Sequence, residues 1–117
     1  MKQALIDTSF ILSCVKQKID FFSYLEREGF RILIPEAVIV ELKKLSKSSS
    51  YARTALRLLE KNKYEEVIMK EKTADKTIVQ IAKEIPSIVV ASLDNGIKRK
   101  IKNKKLVIRG KKKLAIF

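Results

Sequence analysis

This sequence predicts an α/β fold built on a mainly parallel sheet, and two patterns carry the prediction. Short runs at 3–6 (QALI), 31–34 (RILI), 67–69 (VIM), 87–92 (SIVVAS) and 106–108 (LVI) are mostly apolar without strict alternation, as in strands covered on both faces. Between them, apolar residues recur at helical spacing, so strands and helices alternate along the chain. Together the patterns imply five strands in one central sheet with helices on either side, a three-layer α/β/α arrangement. With no linker, repeat or low-complexity segment, residues 1–117 read as a single domain long enough for one core.

Each element has a local reason. After the first strand, a helix is expected from about 9 to 15. FFSYLERE (21–28) reads as a second helix closed by Gly29 at C′, where a left-handed backbone suits glycine. Pro35 is expected at N1 of the helix EAVIVELKKL, where its missing N–H costs nothing. Ser50 is placed to cap a helix whose Ala52, Ala55, Leu56 and Leu59 form one stripe. Thr73 is placed to cap the next, with Ala74, Ile78, Ile81, Ala82 and Ile85 on one face. A short helix from 95 to 102 precedes the fifth strand.

Charge narrows the partners. Lys and Arg number 26 against 13 Asp and Glu, a net +13, and no acid follows Asp94. Such a field favours a polyanion. Nucleic acid comes before membrane, because no basic amphipathic helix with aromatic anchors is evident. The competing reading is a solvated, lysine-rich surface of the heat-adapted kind. No apolar run approaches the roughly 18 residues of a membrane span, and the N-terminal stretch is too interrupted by polar residues for a signal peptide. The single Cys14 permits no intramolecular disulfide; it reads as a core residue and fits a reducing, cytoplasmic setting. The absence of histidine excludes imidazole acid–base chemistry and most zinc sites. There is no GxGxxG, GxxxxGK[ST] or GxSxG segment to support dinucleotide, NTP or α/β-hydrolase chemistry.

The acids carry the chemical signal. Asp7 ends the first strand and Asp94 follows the fourth, both at the carboxyl edge where open α/β sheets bind ligands. Helix N-capping is the plainer role for each. Glu41 completes an i, i+3, i+4, i+7 pattern with Val38, Leu42 and Leu45, so it is expected within the stripe facing the core. A carboxylate there needs a partner, either an arginine or a bound cation. Asp75 falls in the first turn of the helix starting near Thr73, where it complements the helix dipole. Oxygen donors of this kind suit Mg²⁺ or Mn²⁺. Carboxylates, a hard cation and a polyanionic partner point to phosphodiester hydrolysis.

Four segments resemble the PIN-domain family of metal-dependent nucleases: ALIDTS (4–9), IPEAVIVELKKL (34–45), TADKTIVQIAKE (73–84) and IVVASLDNGIKRKI (88–101). The resemblance implies a five-stranded parallel sheet and hydrolytic cleavage of RNA. It makes Asp7, Asp75 and Asp94 the principal Mg²⁺ or Mn²⁺ ligands, with Glu41 as a further ligand or a water-orienting group. It makes Ser9, Ser92 and Asn95 supporting or phosphate-contacting residues, and has Lys98, Arg99, Lys100 and Lys102 follow the RNA backbone. Asn95 stands near where many relatives carry another acid, which bears on whether one metal or two are held. The ending IRGKKKLAIF resembles small archaeal members, and the chain also resembles the PIN nucleases of ribosomal RNA processing. An antitoxin or a ribosome-biogenesis partner, and a homodimer, are family-level expectations. The alternative is a PIN-like RNA-binding module with weak or lost catalysis. An unrelated phosphotransfer domain is disfavoured, since DTS lacks a second Asp two residues after the first.

Overall fold

The computed structural model describes residues 2–70 and 73–117. In chain order its elements are β1 (Lys2–Ile6), α1 (Thr8–Gln17), α2 (Phe21–Arg27), β2 (Phe30–Pro35), α3 (Glu36–Leu45), α4 (Ser50–Lys61) and β3 (Glu65–Val67). There follow α5 (Ala74–Glu84), β4 (Val89–Ala91), α6 (Asn95–Lys100), β5 (Leu106–Arg109) and β6 (Lys113–Ile116). The central sheet is parallel and has four strands in the order β3-β2-β1-β4.

Strand pleating divides the core. Ala4 and Ile6 of β1, Ile32 and Ile34 of β2, and Val89 and Ala91 of β4 join one apolar cluster with α1 to α4. Phe10, Phe21 and Phe22 lie within it, their rings edge-on (5.9 Å between Phe10 and Phe21) or stacked (4.6 Å between Phe21 and Phe22). The alternate residues Leu5, Leu33 and Val90 turn the other way and meet α5 and α6 through Ile78, Ile81, Ala82 and Ile97. Cys14 is buried in the first cluster, where burial pushes its thiol up to about 12, so it behaves as a small core residue. On the second side, Asn103 clamps the end of α5 against β4. Its buried amide nitrogen donates to the carbonyls of Ala82, Ile85 and Ile88 at 3.0, 3.1 and 3.0 Å.

Several boundaries differ from the sequence expectation. Gly29 does close α2, with φ of 79° and its N–H on Glu26 O. α1 runs on to Gln17 and stops at Lys18, whose φ is 57°. Pro35 ends β2 and occupies the N-cap position of α3, one residue earlier than N1. Ser49, not Ser50, caps α4, its hydroxyl accepting from Ala52 N–H. β3 spans 65–67 instead of 67–69, because Leu33 of β2 pairs with Glu65 and leaves Ile68 69% exposed.

The larger correction concerns the fifth strand. Residues 106–109 do not enter the central sheet; they pair antiparallel with β6 in a two-stranded hairpin. Gly110 (φ 53°) and Lys112 (φ 61°) turn the chain, and the strand's hydrogen-bonding edge is taken up by its own continuation. Just before the hairpin, Lys105 forms a parallel bridge with Val90 of β4, and the hairpin packs on the first apolar cluster through the buried Leu106. Among the described residues, no helix is long and apolar enough to cross a membrane.

Candidate functional site

Strand order reverses at β1, which has β2 on one side and β4 on the other. A crevice opens where the chain leaves such neighbouring strands in opposite directions. Asp7 lies at this point: its N–H donates to Ala91 O at 2.9 Å, and it is only 6% exposed. Two hydroxyls reach its Oδ2, from Ser92 at 2.8 Å and Ser9 at 3.2 Å. The same hydroxyls accept in turn, Ser92 Oγ from Asp94 N–H and Ser9 Oγ from Leu93 N–H, each at 3.0 Å. The serines therefore tie the loop after β4 to the first acid. Asp7 occupies the N-cap position of α1 but makes no side-chain cap bond, so simple capping does not describe it.

Burial raises the Asp7 carboxyl above its ordinary 3.8. The Ser92 and Ser9 hydroxyls and the Thr8 N–H oppose that rise, and the negative charge of Glu41 adds to it. Asp94 does cap a helix. Its Oδ1 accepts from Gly96 N–H at 2.7 Å and Ile97 N–H at 3.4 Å, at the start of α6. A Cβ at Gly96 would stand 3.0 Å from that oxygen, so glycine leaves the carboxylate its place. Asp75 sits in the first turn of α5. The Thr73 side chain hydrogen-bonds its carboxylate and holds it below the usual value, with the positive charge of Lys100 adding to the effect.

Glu41 corrects the sequence reading. It is exposed, not buried, and so is Leu45 of the expected stripe at 37%. The buried arc of α3 is Val38, Ile39 and Leu42. Glu41 instead belongs to the ridge 37–41–45, which lies beside the ridge 36–40–44; both i+4 rows line an open cleft.

That cleft has a volume of about 830 Å³, and its walls bring together Asp7, Glu41, Asp75 and Asp94 from four separate segments. Glu36 lines it as well, although sequence reasoning passed it over; its place four residues before Val40 on the outer ridge was the available signal. Lys44 and Lys70 supply positive charge on the same walls. Thr8 was also missed. It is a buried cleft residue whose Oγ1 has no partner among the described residues, and nothing in its sequence context reveals that. Ser9 lines the cleft, while Ser92 is buried behind Asp7. Asn95 is exposed at the first position of α6 and does not line the cleft. Lys100 lines a smaller hollow next to it, together with Asp75 and Asp94. Lys98, Arg99 and Lys102 line neither.

The donor chemistry is that of a hard cation site: carboxylate oxygens, with a buried acid and a nearby like charge that a cation would relieve. The acids ring the opening and do not form a ready cage, since among the described residues no three potential ligands cluster closely enough to hold a metal.

A parallel α/β sheet with carboxylates around the crevice at its strand-order reversal defines an α/β domain with an acidic cleft where such sheets bind ligands. Residues 4–112 match the family described as the PIN like domain. The chain belongs to the PIN-domain family. It is 31% identical over 122 residues to the ribonuclease VapC4 of Methanocaldococcus jannaschii, covering 95% of this chain and 93% of that one. Among solved structures it is similar to the PIN domain endonuclease Utp24, with a TM-score of 0.82 and 28% identity over 97% of this chain and 90% of that chain. The PIN domain of human SMG5 shares the fold at a TM-score of 0.54 and 20% identity, over 86% of this chain and 91% of that chain.

Proposed function

We propose that this chain is a metal-dependent endoribonuclease, with residues 1–117 acting as one nuclease domain. The observation that carries the reading is the gathering of Asp7, Glu41, Asp75 and Asp94 around one cleft in a chain of net charge +13. An acidic centre within a cationic protein suits a polyanion drawn in by the surroundings and cut at the acids. The likeness to a ribonuclease and to an endonuclease supports the same class of reaction.

In this reading Asp7, Asp75 and Asp94 hold a Mg²⁺ or Mn²⁺ ion, with Glu41 as a further ligand or as the group that orients water. Held there, such an ion would supply Lewis acidity at the phosphoryl oxygen and would lower the pKa of a water so that hydroxide is available as nucleophile at neutral pH. The chain's own residues do the positioning. Ser92 and Ser9 fix the rotamer of Asp7, and the backbone amides of Gly96 and Ile97 fix that of Asp94. Lys44 and Lys70 draw phosphate to the cleft, and Lys98, Arg99, Lys100 and Lys102 continue the positive path outside it. The setting is a cytoplasmic one, as the toxin of a toxin–antitoxin pair or as an RNA-processing enzyme with a ribosome-biogenesis partner, and the working form is a homodimer.

The test is cleavage of single-stranded and structured RNA with Mn²⁺ or with EDTA, using wild type, Asp7→Asn and Asp94→Asn. The expected result is Mn²⁺-dependent internal cleavage by wild type, at least 100-fold faster than by either variant, on the order of the loss of one strong electrostatic contact in a transition state. Equal rates for wild type and variants, or cleavage indifferent to EDTA, overturn it.

A further inference from the structure

Beside the acidic cleft, between α5 and α6, lies a second hollow of about 340 Å³. Asp75 and Asp94 line both, so the two spaces share a wall made of two of the acids. We infer that this hollow receives the nucleobase next to the phosphate that is cut, and that Gln80 reads the edge of that base. The inference rests on the ribonuclease reading for its substrate and adds to it a subsite and a residue that sets sequence preference.

Three features point to a base as the occupant. The first is surface chemistry. The half-buried Val79 presents aliphatic surface between the two helices, over a floor closed by the buried Ile97, which suits the flat face of an aromatic ring. Gly96 adds a stretch of backbone without a side chain, so a planar group can approach closely.

The second is Gln80. Its amide nitrogen donates to Glu84 Oε1 at 3.2 Å, one turn along α5. A carboxylate only accepts, so this bond orients the amide and leaves the carbonyl oxygen without a hydrogen-bond partner among the described residues. Every nucleobase offers N–H groups at its edge, but each places them differently. A held acceptor therefore distinguishes bases, where a lysine would not.

The third is charge. Lys76 and Lys100 line the hollow and suit the phosphates on either side of a bound base. Asp75 and Asp94 on the shared wall disfavour a phosphate inside the hollow itself, in the absence of a cation. A strand whose phosphate lies among the acids thus has apolar and amide surface waiting for its neighbouring base.

Two measurements test this. In the first, wild-type protein is titrated with the four nucleoside 5′-monophosphates, with ribose 5-phosphate and with inorganic phosphate, and backbone amide shifts are followed by NMR. The nucleotides are expected to move the signals of Val79, Gln80, Gly96 and Lys100, by amounts that depend on the base. Equal shifts from ribose 5-phosphate or phosphate, or nucleotide shifts that miss α5 and α6, overturn the subsite. In the second, wild type and Gln80→Ala cleave an RNA pool randomised around one site. Wild type is expected to show a base preference at one position beside the cut, which Gln80→Ala flattens by roughly five-fold, the size of one net hydrogen bond. A preference that survives the substitution, or none in wild type, refutes the role of Gln80. Gln80 sits partly exposed within a helix where alanine is well tolerated, so the variant is expected to fold. Failure of the nuclease reading shows separately, as cleavage indifferent to Asp7→Asn and EDTA; the titration of wild type then still decides whether the hollow takes a base.

Discussion

Ser92 is the most consequential small side chain near the cleft, and replacing it with alanine tests the construction of the site without any substrate. The residue is 2% exposed and spans two bonds: it donates to Asp7 Oδ2 at 2.8 Å and accepts from Asp94 N–H at 3.0 Å. A hydrogen bond to an ionised carboxylate contributes about 1.5–3 kcal/mol and a neutral one about 0.5–1.5. Ser92→Ala should therefore cost about 2–4 kcal/mol, a fall in Tm of roughly 8–20 °C for a chain of this size. The cost should depend on charge. In an Asp7→Asn background the first bond becomes neutral, so Ser92→Ala should cost about 1–2 kcal/mol and the double-mutant cycle should show coupling of similar size.

The same pair has a pH signature. Asp7 is raised in the folded state, so the native protein holds its proton to higher pH than the unfolded chain does. More protons on the native state mean that stability falls as pH rises from the ordinary 3.8 up through the folded value. Asp7→Asn should lose this descending limb, while Ser92→Ala, which removes a bond favouring the ionised form, should steepen it. Urea unfolding followed by far-UV circular dichroism, in EDTA and in steps from about pH 4 to neutral, measures both effects. A Ser92→Ala cost below about 0.5 kcal/mol at neutral pH, with no coupling to Asp7, would refute the account of how the first acid is held.

Three further outcomes follow from the same structure. Asn103→Ala leaves the carbonyls of Ala82, Ile85 and Ile88 without their shared donor, and should cost about 2–4 kcal/mol in urea unfolding; a cost near zero would mean that water replaces the clamp. Saturating Mn²⁺ at about 100 times its Kd should stabilise wild type by about 2.7 kcal/mol, and Glu41→Gln should lose most of that in a thermal melt. An unchanged gain removes Glu41 from the metal's surroundings. Neutralising Lys98, Arg99 and Lys102 together should lower the salt slope of single-stranded RNA binding by roughly 2, at about 0.7 per phosphate contact; an identical slope means that these side chains are only solvated.

How legible each part was depended on how many sides of it are buried. β1, β2 and β4 announced themselves because parallel strands covered on both faces must be apolar throughout. β3 did not, because it is an edge strand with two exposed glutamates, and the apolar VIM next to it drew the assignment two residues late. β6 was hidden by the lysines at 111–113, which read as part of the basic segment until the hairpin showed the last of them paired with Arg109. Glu41 was drawn to the core by counting Leu45 as buried. Moving the buried arc to Val38, Ile39 and Leu42 turns the same spacing outward to the cleft. The strand-end acids were readable because topology alone brings the ends of β1 and β4 together. Thr8 was not, since whether its hydroxyl has a partner depends on packing that no local pattern encodes.

Asp94 shows why the plain and the functional readings of an acid need not compete. Read from the sequence, it either capped a helix or served a site. In the structure one oxygen caps α6 while the residue lines the cleft shared with Asp7 and Asp75. Capping removes rotational freedom from the carboxylate at the cost of the two acceptor sites of Oδ1, leaving Oδ2 without a protein hydrogen bond among the described residues. Asp7 is fixed by a different device, two serine hydroxyls on a single oxygen, and again the other oxygen takes no side-chain donor among the described residues. In both cases ordinary backbone and hydroxyl bonds hold half of the carboxylate so that the other half is oriented in advance. The entropy of placing these carboxylates is thus lost on folding, which is what the proposed cation site would need.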